Sequence, residues 1–383
     1  MMEKIKYFVK KEVVLCVALL LAVVSAFFIP PDRAYMEYID FRTLGILFCL
    51  MCVMAGLQQI GVFQWIARRL LSKVHKASQL VLLLVLMCFF LSMAITNDVA
   101  LITFVPFTFT VGKLLGEDLY KRMVFPTVVL QTIAANLGSM LTPIGNPQNL
   151  YLYGISGMGL TEFLRLLFPY SLTSLFLLLI CSVLFGKKLG NGGTLDSLKQ
   201  EMPRIGGRLA LPVYLALFVL CLLTVARILP LWITLGAVVV CVLAVDYTVF
   251  GKVDYCLLLT FTGFFIFIGN MGRIPAFSGL LQEFVAGNEV LISVLASQCI
   301  SNVPAALLLS GFTDNISGLL VGTNLGGLGT LIASMASLIS YKYVVAEAEE
   351  SRIPGGKGRY FLYFTVANIC FLMVLVILYI CVG

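Results

Sequence analysis

Apolar runs long enough to cross a bilayer alternate with short polar stretches along most of this chain. About 20 apolar helical residues span the hydrocarbon layer. Residues 13–29 and 44–60 predict the first two spans, with a turn at Pro30-Pro31-Asp32-Arg33. Residues 62–74 mix apolar positions with Arg68, Arg69 and Lys73, which predicts an amphipathic helix along the membrane surface. The run 80–95 stops at Thr96-Asn97-Asp98 and resumes over 99–115. Such an interruption fits one long helix or the tip of a re-entrant hairpin. Arg68, Arg69, Lys73 and Lys76 precede the run, and Lys113, Lys121 and Arg122 follow it. Basic ends prefer the cytoplasm. A hairpin puts both ends on one side; a single span does not.

Residues 123–136 enter again and meet Asn136-Leu-Gly-Ser-Met-Leu-Thr-Pro-Ile-Gly-Asn-Pro-Gln-Asn149. Pro143 and Pro147 lack a backbone donor and disfavour helix just before them. Carbonyls freed at membrane depth persist only inside protein or beside a wet cavity. The break is therefore a candidate binding site. The chain continues over 150–155, and 163–184 returns to Lys187-Lys188. Residues 209–225, 232–249 and 256–268 predict further spans, and 274–285 a surface helix. A second polar tip, Ser301-Asn302-Val303-Pro304, separates 290–300 from 305–310. Residues 316–321 then meet a second break, Gly322-Thr-Asn-Leu-Gly-Gly-Leu-Gly-Thr330, before apolar residues to 339. Residues 341–359 read as a charged cytoplasmic segment, and 360–382 as the last span.

The halves match. Asn136-Leu-Gly-Ser-Met-Leu-Thr-Pro-Ile aligns without gaps with Asn324-Leu-Gly-Gly-Leu-Gly-Thr-Leu-Ile, and Thr96-Asn97-Asp98 corresponds to Ser301-Asn302-Val303. Each half reads as two spans, a surface helix, a polar-tipped hairpin, a broken helix and a closing span. One odd helix between them turns the second half over. The expected fold is an all-α polytopic membrane protein with two inverted-topology repeats, each holding a re-entrant hairpin and a broken transmembrane helix. Residues 1–185 form the first repeat with its N-terminal helices. Residues 186–208 form a polar, Gly-rich cytoplasmic linker and 209–228 the connecting helix. Residues 229–383 form the second repeat.

Composition narrows the function. The chain is 60% hydrophobic and 12% charged, and it lacks the ten-residue alternation of a membrane β-barrel. The net charge of +7 sits in short basic loops and is no nucleic-acid signal. The eleven cysteines lie mostly inside apolar runs and read as packing residues. The one histidine, His75, stands in a basic loop and reads as solvated. There is no HExxH and no pair of intramembrane aspartates, which argues against an enzyme. The basic N-terminus leads into an apolar run without a cleavage site, so it reads as a cytoplasmic start to a first span. The expected location is a bacterial-type cytoplasmic (inner) membrane.

Asp98 is the one acidic residue expected at a deep hairpin tip. A carboxylate at the bilayer centre costs at least about 2.5–3.5 kcal/mol. It should bind a cation, exchange a proton or pair with a base; the alternative is a cap on the helix after it. Asn97 and Asn302 offer carbonyls to a cation and amides to an anion. Backbone carbonyls over 142–146 and 323–327 are further hard-cation ligands. Helix N-termini after each break suit an anionic substrate. Gly322, Gly326, Gly327 and Gly329 have close helix packing as their competing role. Arg165, Arg227 and Arg273 fall at span ends and read as anchors. The candidate substrate and ion site comprises Thr96, Asn97, Asp98, Asn136, Thr142, Pro143, Gly145, Asn146, Pro147 and Asn149 from the first half. Ser301, Asn302, Pro304, Thr323, Asn324, Gly326 and Thr330 join from the second. Asn97, Asp98, Gly145 and Asn146 are the candidate Na⁺ ligands. No cofactor is expected beyond a coupling ion, Na⁺ or H⁺.

At these motifs the chain resembles the ion transporter superfamily. Thr96-Asn97-Asp98 followed by Val-Ala-Leu-Ile-Thr-Phe-Val-Pro106 is similar to the arsenite permease and citrate-transporter-like branch. The two breaks and Ser301-Asn302-Val-Pro304 resemble that superfamily's broken helices and second tip. The resemblance implies inverted repeats, ion and substrate held at hairpin tips and breaks, elevator-type movement and a homodimer. It implies a secondary transporter of a small carboxylate or inorganic anion, with a sodium/proton antiporter using Asp98 as the alternative. Sodium-coupled dicarboxylate carriers of the superfamily have Ser-Asn-Thr at both tips. Val303 removes one hydroxyl here, and Asp98 adds a charge.

Overall fold

A computed structural model describes residues 12–72, 74–189, 206, 209–353 and 355–382. Its regular elements there are helical. The first half holds α1 (Val13–Phe28), α2 (Ala34–Tyr38), α3 (Phe41–Gln59), α4 (Val62–Leu71), α5 (Ala77–Ile95) and α6 (Asn97–Lys113). It closes with α7 (Glu117–Ser139), α8 (Pro147–Ser156) and α9 (Leu160–Leu189). After α10 (Ala210–Val225) come α11 (Leu231–Asp246) with a 3-10 turn (Tyr247–Lys252), α12 (Tyr255–Gly272) and α13 (Pro275–Val285). α14 (Glu289–Ile300), α15 (Asn302–Ser310), α16 (Ile316–Gly326), α17 (Met335–Glu350) and α18 (Gly356–Val382) complete the chain. Most of the expected linker, 190–205 and 207–208, lies outside the described residues, as does the basic segment 1–11.

Among the described residues, six helices are long and apolar enough to cross a membrane: α3, α5, α9, α11 with its 3-10 turn, α12 and α18. α13 and α14 make a seventh if counted together, bent by 109°. The expected surface helix α4 buries Phe63, Ala67 and Leu71 on one stripe and ends in Arg68 and Arg69. That is the i, i+4 pattern of an amphipathic helix.

α7 is enclosed over its second half. Apart from Pro126, every residue from Met123 to Ser139 is buried. Its flank is covered by α5, α6, α9, α17 and α18. α16 is enclosed likewise, from Gly318 to Gly326. Burying helix polar groups is tolerable only when they are bonded. Thr108 accordingly donates to Gln131 Oε1 at 2.9 Å, and Thr132 to Ser340 Oγ at 2.8 Å. Close approach depends on glycine. A Cβ on Gly138 would lie 2.1 Å from the Phe89 carbonyl of α5, and one on Gly326 would lie 2.6 Å from Ser297 Oγ of α14.

One expectation is corrected here. The second break does not begin at Gly322: α16 runs through Gly326, because its glycines pack against α14 and are not released into a loop. Thr323, Asn324 and Gly326 are thus helical, and Gly326 has the packing role. The charged segment expected over 341–359 is helical as far as Glu350, where α17 ends. Buried Glu347 anchors it, paired with Lys113 at 2.9 Å and accepting from Tyr120 at 2.6 Å. The short helix α2, between Pro31 and Asp40, was not anticipated.

Candidate functional site

The site is built on two turns of unusual backbone. Thr96, between α5 and α6, has φ 70° and ψ 151°; Ser301, between α14 and α15, has φ 76° and ψ 153°. A non-glycine residue there costs roughly 1–3 kcal/mol and persists only where surroundings enforce it. The enforcing bonds match too. Asn97 N donates to the Gly145 carbonyl at 3.2 Å, and Asn302 N to the Ala333 carbonyl at 2.9 Å. Gly145 and Ala333 each stand nine positions after the paired residues Asn136 and Asn324. The residues that start the following half-helices, Asn146 and Ser334, share φ −143°, with ψ 146° and 138°.

The two halves then cross-link. Ser334 Oγ, next to α17, donates to Asn136 Oδ1 on α7 at 3.0 Å. Asn146 Nδ2, next to α8, donates to Asn324 Oδ1 on α16 at 3.4 Å. Asn136 also accepts from Asn97 Nδ2 at 3.1 Å and donates to the Gly327 carbonyl at 3.4 Å. Asn324 donates to Asn149 Oδ1 at 2.6 Å. Asn97, Asn136, Gly145, Asn146, Asn149, Asn302 and Asn324 are therefore brought into one buried cluster. Ser301 Oγ joins it through the Ala333 carbonyl at 3.4 Å.

Other expected residues are further away in role. Thr323 bonds its own helix at Leu319. Thr142 Oγ1 is spent on the Met93 carbonyl, and Pro143 is buried behind the break. Thr330 is exposed, its N–H and hydroxyl taken by Gln298. The carbonyls expected to be free are largely occupied. Asn149 Nδ2 bonds those of Met140 and Thr142 at 3.1 and 3.3 Å. Gln298 Nε2 bonds those of Gly326 and Leu328 at 3.0 and 2.9 Å.

Asp98 does not cap its helix. Its N–H donates to Asn97 Oδ1 at 2.9 Å, while its own Oδ1 is buried and without a partner. Asp98 lines two cavities. The first, of about 170 Å³, collects both turns and both half-helix starts: Asn97, Asp98, Pro147, Gln148, Ser301, Asn302, Pro304 and Ser334. The second, of about 200 Å³, is lined by Thr96, Asp98, Asn146 and Pro147. Asn146 Oδ1 there is also buried and unpartnered. Such acceptors have oxygen-ligand chemistry suited to Na⁺ or a proton.

A family model for the citrate transporter matches residues 1–317. The chain belongs to the citrate transporter family. An uncharacterized transporter of Methanocaldococcus jannaschii is 31% identical over 348 residues, 89% of this chain and 88% of that protein. The inner membrane protein YbiR of Escherichia coli K12 is 30% identical over 334 residues, 85% of this chain and 86% of its own length. A silicon efflux transporter of Oryza sativa is 31% identical over 180 residues, 46% of this chain and 36% of that protein. The resemblance to the ion transporter superfamily holds, and the chain is a multi-pass membrane transporter, not an enzyme.

Two cavity residues of this citrate transporter family member were not among the expected site residues. Gln148 is 1% exposed and lines the first cavity, with its Nε2 unpartnered. It sits inside the first break, so an unbonded buried amide donor was the missing signal. Asp254 caps α12, accepting from Leu257 N at 2.9 Å, and lines both cavities with Asp98. Its sequence context is that of an ordinary helix start, and only the fold brings it to Asp98.

Proposed function

We propose that this member of the citrate transporter family is a secondary active transporter. It moves a small anion, a carboxylate or an inorganic oxyanion, across the cytoplasmic membrane, coupled to H⁺ or Na⁺. The observation that carries the reading is the first cavity, which both turns and both half-helix starts line together with Asp98 and Gln148, two residues that each keep a buried, unpartnered polar atom. An unpartnered acceptor suits the coupling cation and an unpartnered donor suits the anion. Half-helix N-termini facing one cavity add partial positive charge. The matched backbone of Thr96 and Ser301, and their matched bonds to Gly145 and Ala333, support two inverted repeats meeting at the membrane midplane. In this reading the N-terminus is cytoplasmic, and Asn97, Asp98, Gly145 and Asn146 surround the cation.

A sodium/proton antiporter is the second reading, and one observation favours it. Among the described residues, Glu12, Asp98 and Asp254 line the first cavity without a basic residue, and Lys252 is the one base lining the second. Reconstituted vesicles separate the two. Uptake of labelled citrate, succinate, sulfate or arsenite should require an imposed Na⁺ or H⁺ gradient. Proton movement driven by a Na⁺ gradient with no anion present would replace the first reading by the second.

A further inference from the structure

A groove that shares no lining residue with the two cavities lies where α3 begins, α8 ends and α10 turns into α11. Arg42 and Arg227 line it, with Phe41, Ile228 and Trp232 beside them. It is wide, about 780 Å³, and no lining residue is acidic. The nearest acid along the chain, Asp40, is engaged with Thr43, accepting from its N–H at 2.9 Å. Neither arginine forms an ion pair among the described residues. Arg42 donates to the Thr224 carbonyl at 3.1 Å, and Arg227 to the Tyr153 and Gly154 carbonyls at 3.0 and 3.3 Å. A guanidinium has five donors, so most remain unused. Arg227 is held there at a cost: its φ is 63°, a left-handed conformation rare outside glycine.

Helix-end carbonyls alone would explain either arginine. They do not explain the apolar rim. Trp232 is 72% exposed, Ile228 67% and Phe41 48%. Phe41 begins α3 and Trp232 lies in the first turn of α11, two of the helices long and apolar enough to cross a membrane, and Ile228 lies in the turn just before α11. Exposed aromatic rings at span ends stand at headgroup level, where one face is apolar and one wet. Two arginines beside such a rim match a phosphate group attached to acyl chains.

We propose that this groove binds an anionic phosphate, that of a phospholipid headgroup, between Arg42 and Arg227. The acyl chains lie along Phe41, Ile228 and Trp232. The site also touches the transport machinery. Arg227 grips the C-terminal end of α8, whose N-terminal residues Pro147 and Gln148 line the first cavity. Headgroup occupancy thus bears on the half-helix that faces the candidate substrate.

The test uses purified full-length protein in detergent, titrated with phosphatidylglycerol, phosphatidylcholine or inorganic phosphate. Thermal melting and retained lipid by native mass spectrometry are the readouts. Phosphatidylglycerol should raise the melting temperature and be retained over phosphatidylcholine. At about 1 kcal/mol per arginine near a headgroup, Arg42→Gln or Arg227→Gln should weaken this roughly fivefold, and both together about thirtyfold. The glutamines also weaken the helix-end contacts, so Ile228→Asp serves as an independent variant. It leaves both arginines in place, changes an exposed residue, and should abolish the preference by charge repulsion. If inorganic phosphate gives the same arginine-dependent shift, the anion site stands and its source is the free ion. Equal retention of phosphatidylcholine, or a preference untouched by Ile228→Asp and by the double variant, would overturn the proposal.

Discussion

Asn324 Nδ2, on α16, donates to Asn149 Oδ1, on α8, at 2.6 Å. Asn149 Nδ2 in turn bonds the carbonyls of Met140 and Thr142 in the first break. The second half of the chain therefore holds the side chain that ties off the break in the first. A carbonyl released at membrane depth must be re-bonded, and here the donor is positioned by the other half.

Asn324→Ala should destabilise the fold through that link. It leaves Asn149 Oδ1 and Asn146 Nδ2 buried without their partner. Such a loss costs about 1–3 kcal/mol in soluble proteins and averages about 0.6 kcal/mol per bond in membranes. Melting of detergent-purified variants in a double-mutant cycle with Asn149→Ala should give a coupling of about 0.5 kcal/mol or more. Strict additivity would mean that the two amides act independently.

Gly145→Ala should not be tolerated. An added Cβ would lie 2.0 Å from the Ser139 carbonyl, a backbone atom that cannot rotate away. Gly145 also supplies the carbonyl that holds Asn97 N. The expected outcome is loss of folded protein from the membrane fraction, while Gly159→Ala, which meets nothing within 4 Å, stays at wild-type level. Equal abundance of the two variants would show that the break can relax.

The apolar runs and the polar interruptions were legible because hydropathy and proline act locally, but 13–29 and 209–225, expected to span, form helices of only 16 residues. The extent of α16 was not legible. Its glycines read as breakers, but Gly322 and Gly326 meet Val290, Ser293 and Ser297 of α14, and packing overrides propensity. The asparagines that meet in the buried cluster could be singled out from the matching Asn136 and Asn324 stretches. Their exchange of bonds between halves, and the use of Asn149 and Gln298 to occupy carbonyls, depends on approach distances that one sequence does not contain. The same holds for Asp254, which reaches the cavities of Asp98 only through the placement of α12.

Acid should loosen the contact between α6, α7 and α17. Burial raises the Glu347 carboxyl, but bonds from Ser351, Tyr120 and Lys113 outweigh it and hold the pKa below the ordinary value. A depressed folded pKa contributes stability above the unfolded value, and that stability is lost as pH falls through the folded one. The wild type should therefore lose melting temperature below the ordinary carboxylate range of about pH 4.3. Glu347→Gln should start lower at neutral pH and lose less across that range. Parallel pH profiles would remove Glu347 from the account.

Gln148→Leu should separate binding from folding. The side chain keeps a similar size, so the buried volume stays filled, and only the unpartnered amide goes. A hydrogen bond to a charged group is worth about 1.5–3 kcal/mol, roughly a 10- to 100-fold rise in KM for the transported anion. Unchanged KM with a lowered melting temperature would make Gln148 a packing residue.

Asp98→Asn should abolish coupled transport while leaving the protein in the membrane. Asp98 Oδ1 bonds nothing in the fold, and the N–H of Asp98, which Asn97 holds, survives the substitution. Stability therefore has little to lose, and membrane abundance should match the wild type. The change removes the negative charge that a coupling Na⁺ or H⁺ would meet at the two cavities Asp98 lines. Gradient-driven uptake in vesicles should fall to the level of empty liposomes. Exchange of substrate without a gradient, if it persists, would assign Asp98 to coupling and not to substrate. Wild-type gradient-driven uptake by Asp98→Asn would move the coupling site elsewhere, with Asp254 the next carboxylate on the same cavities.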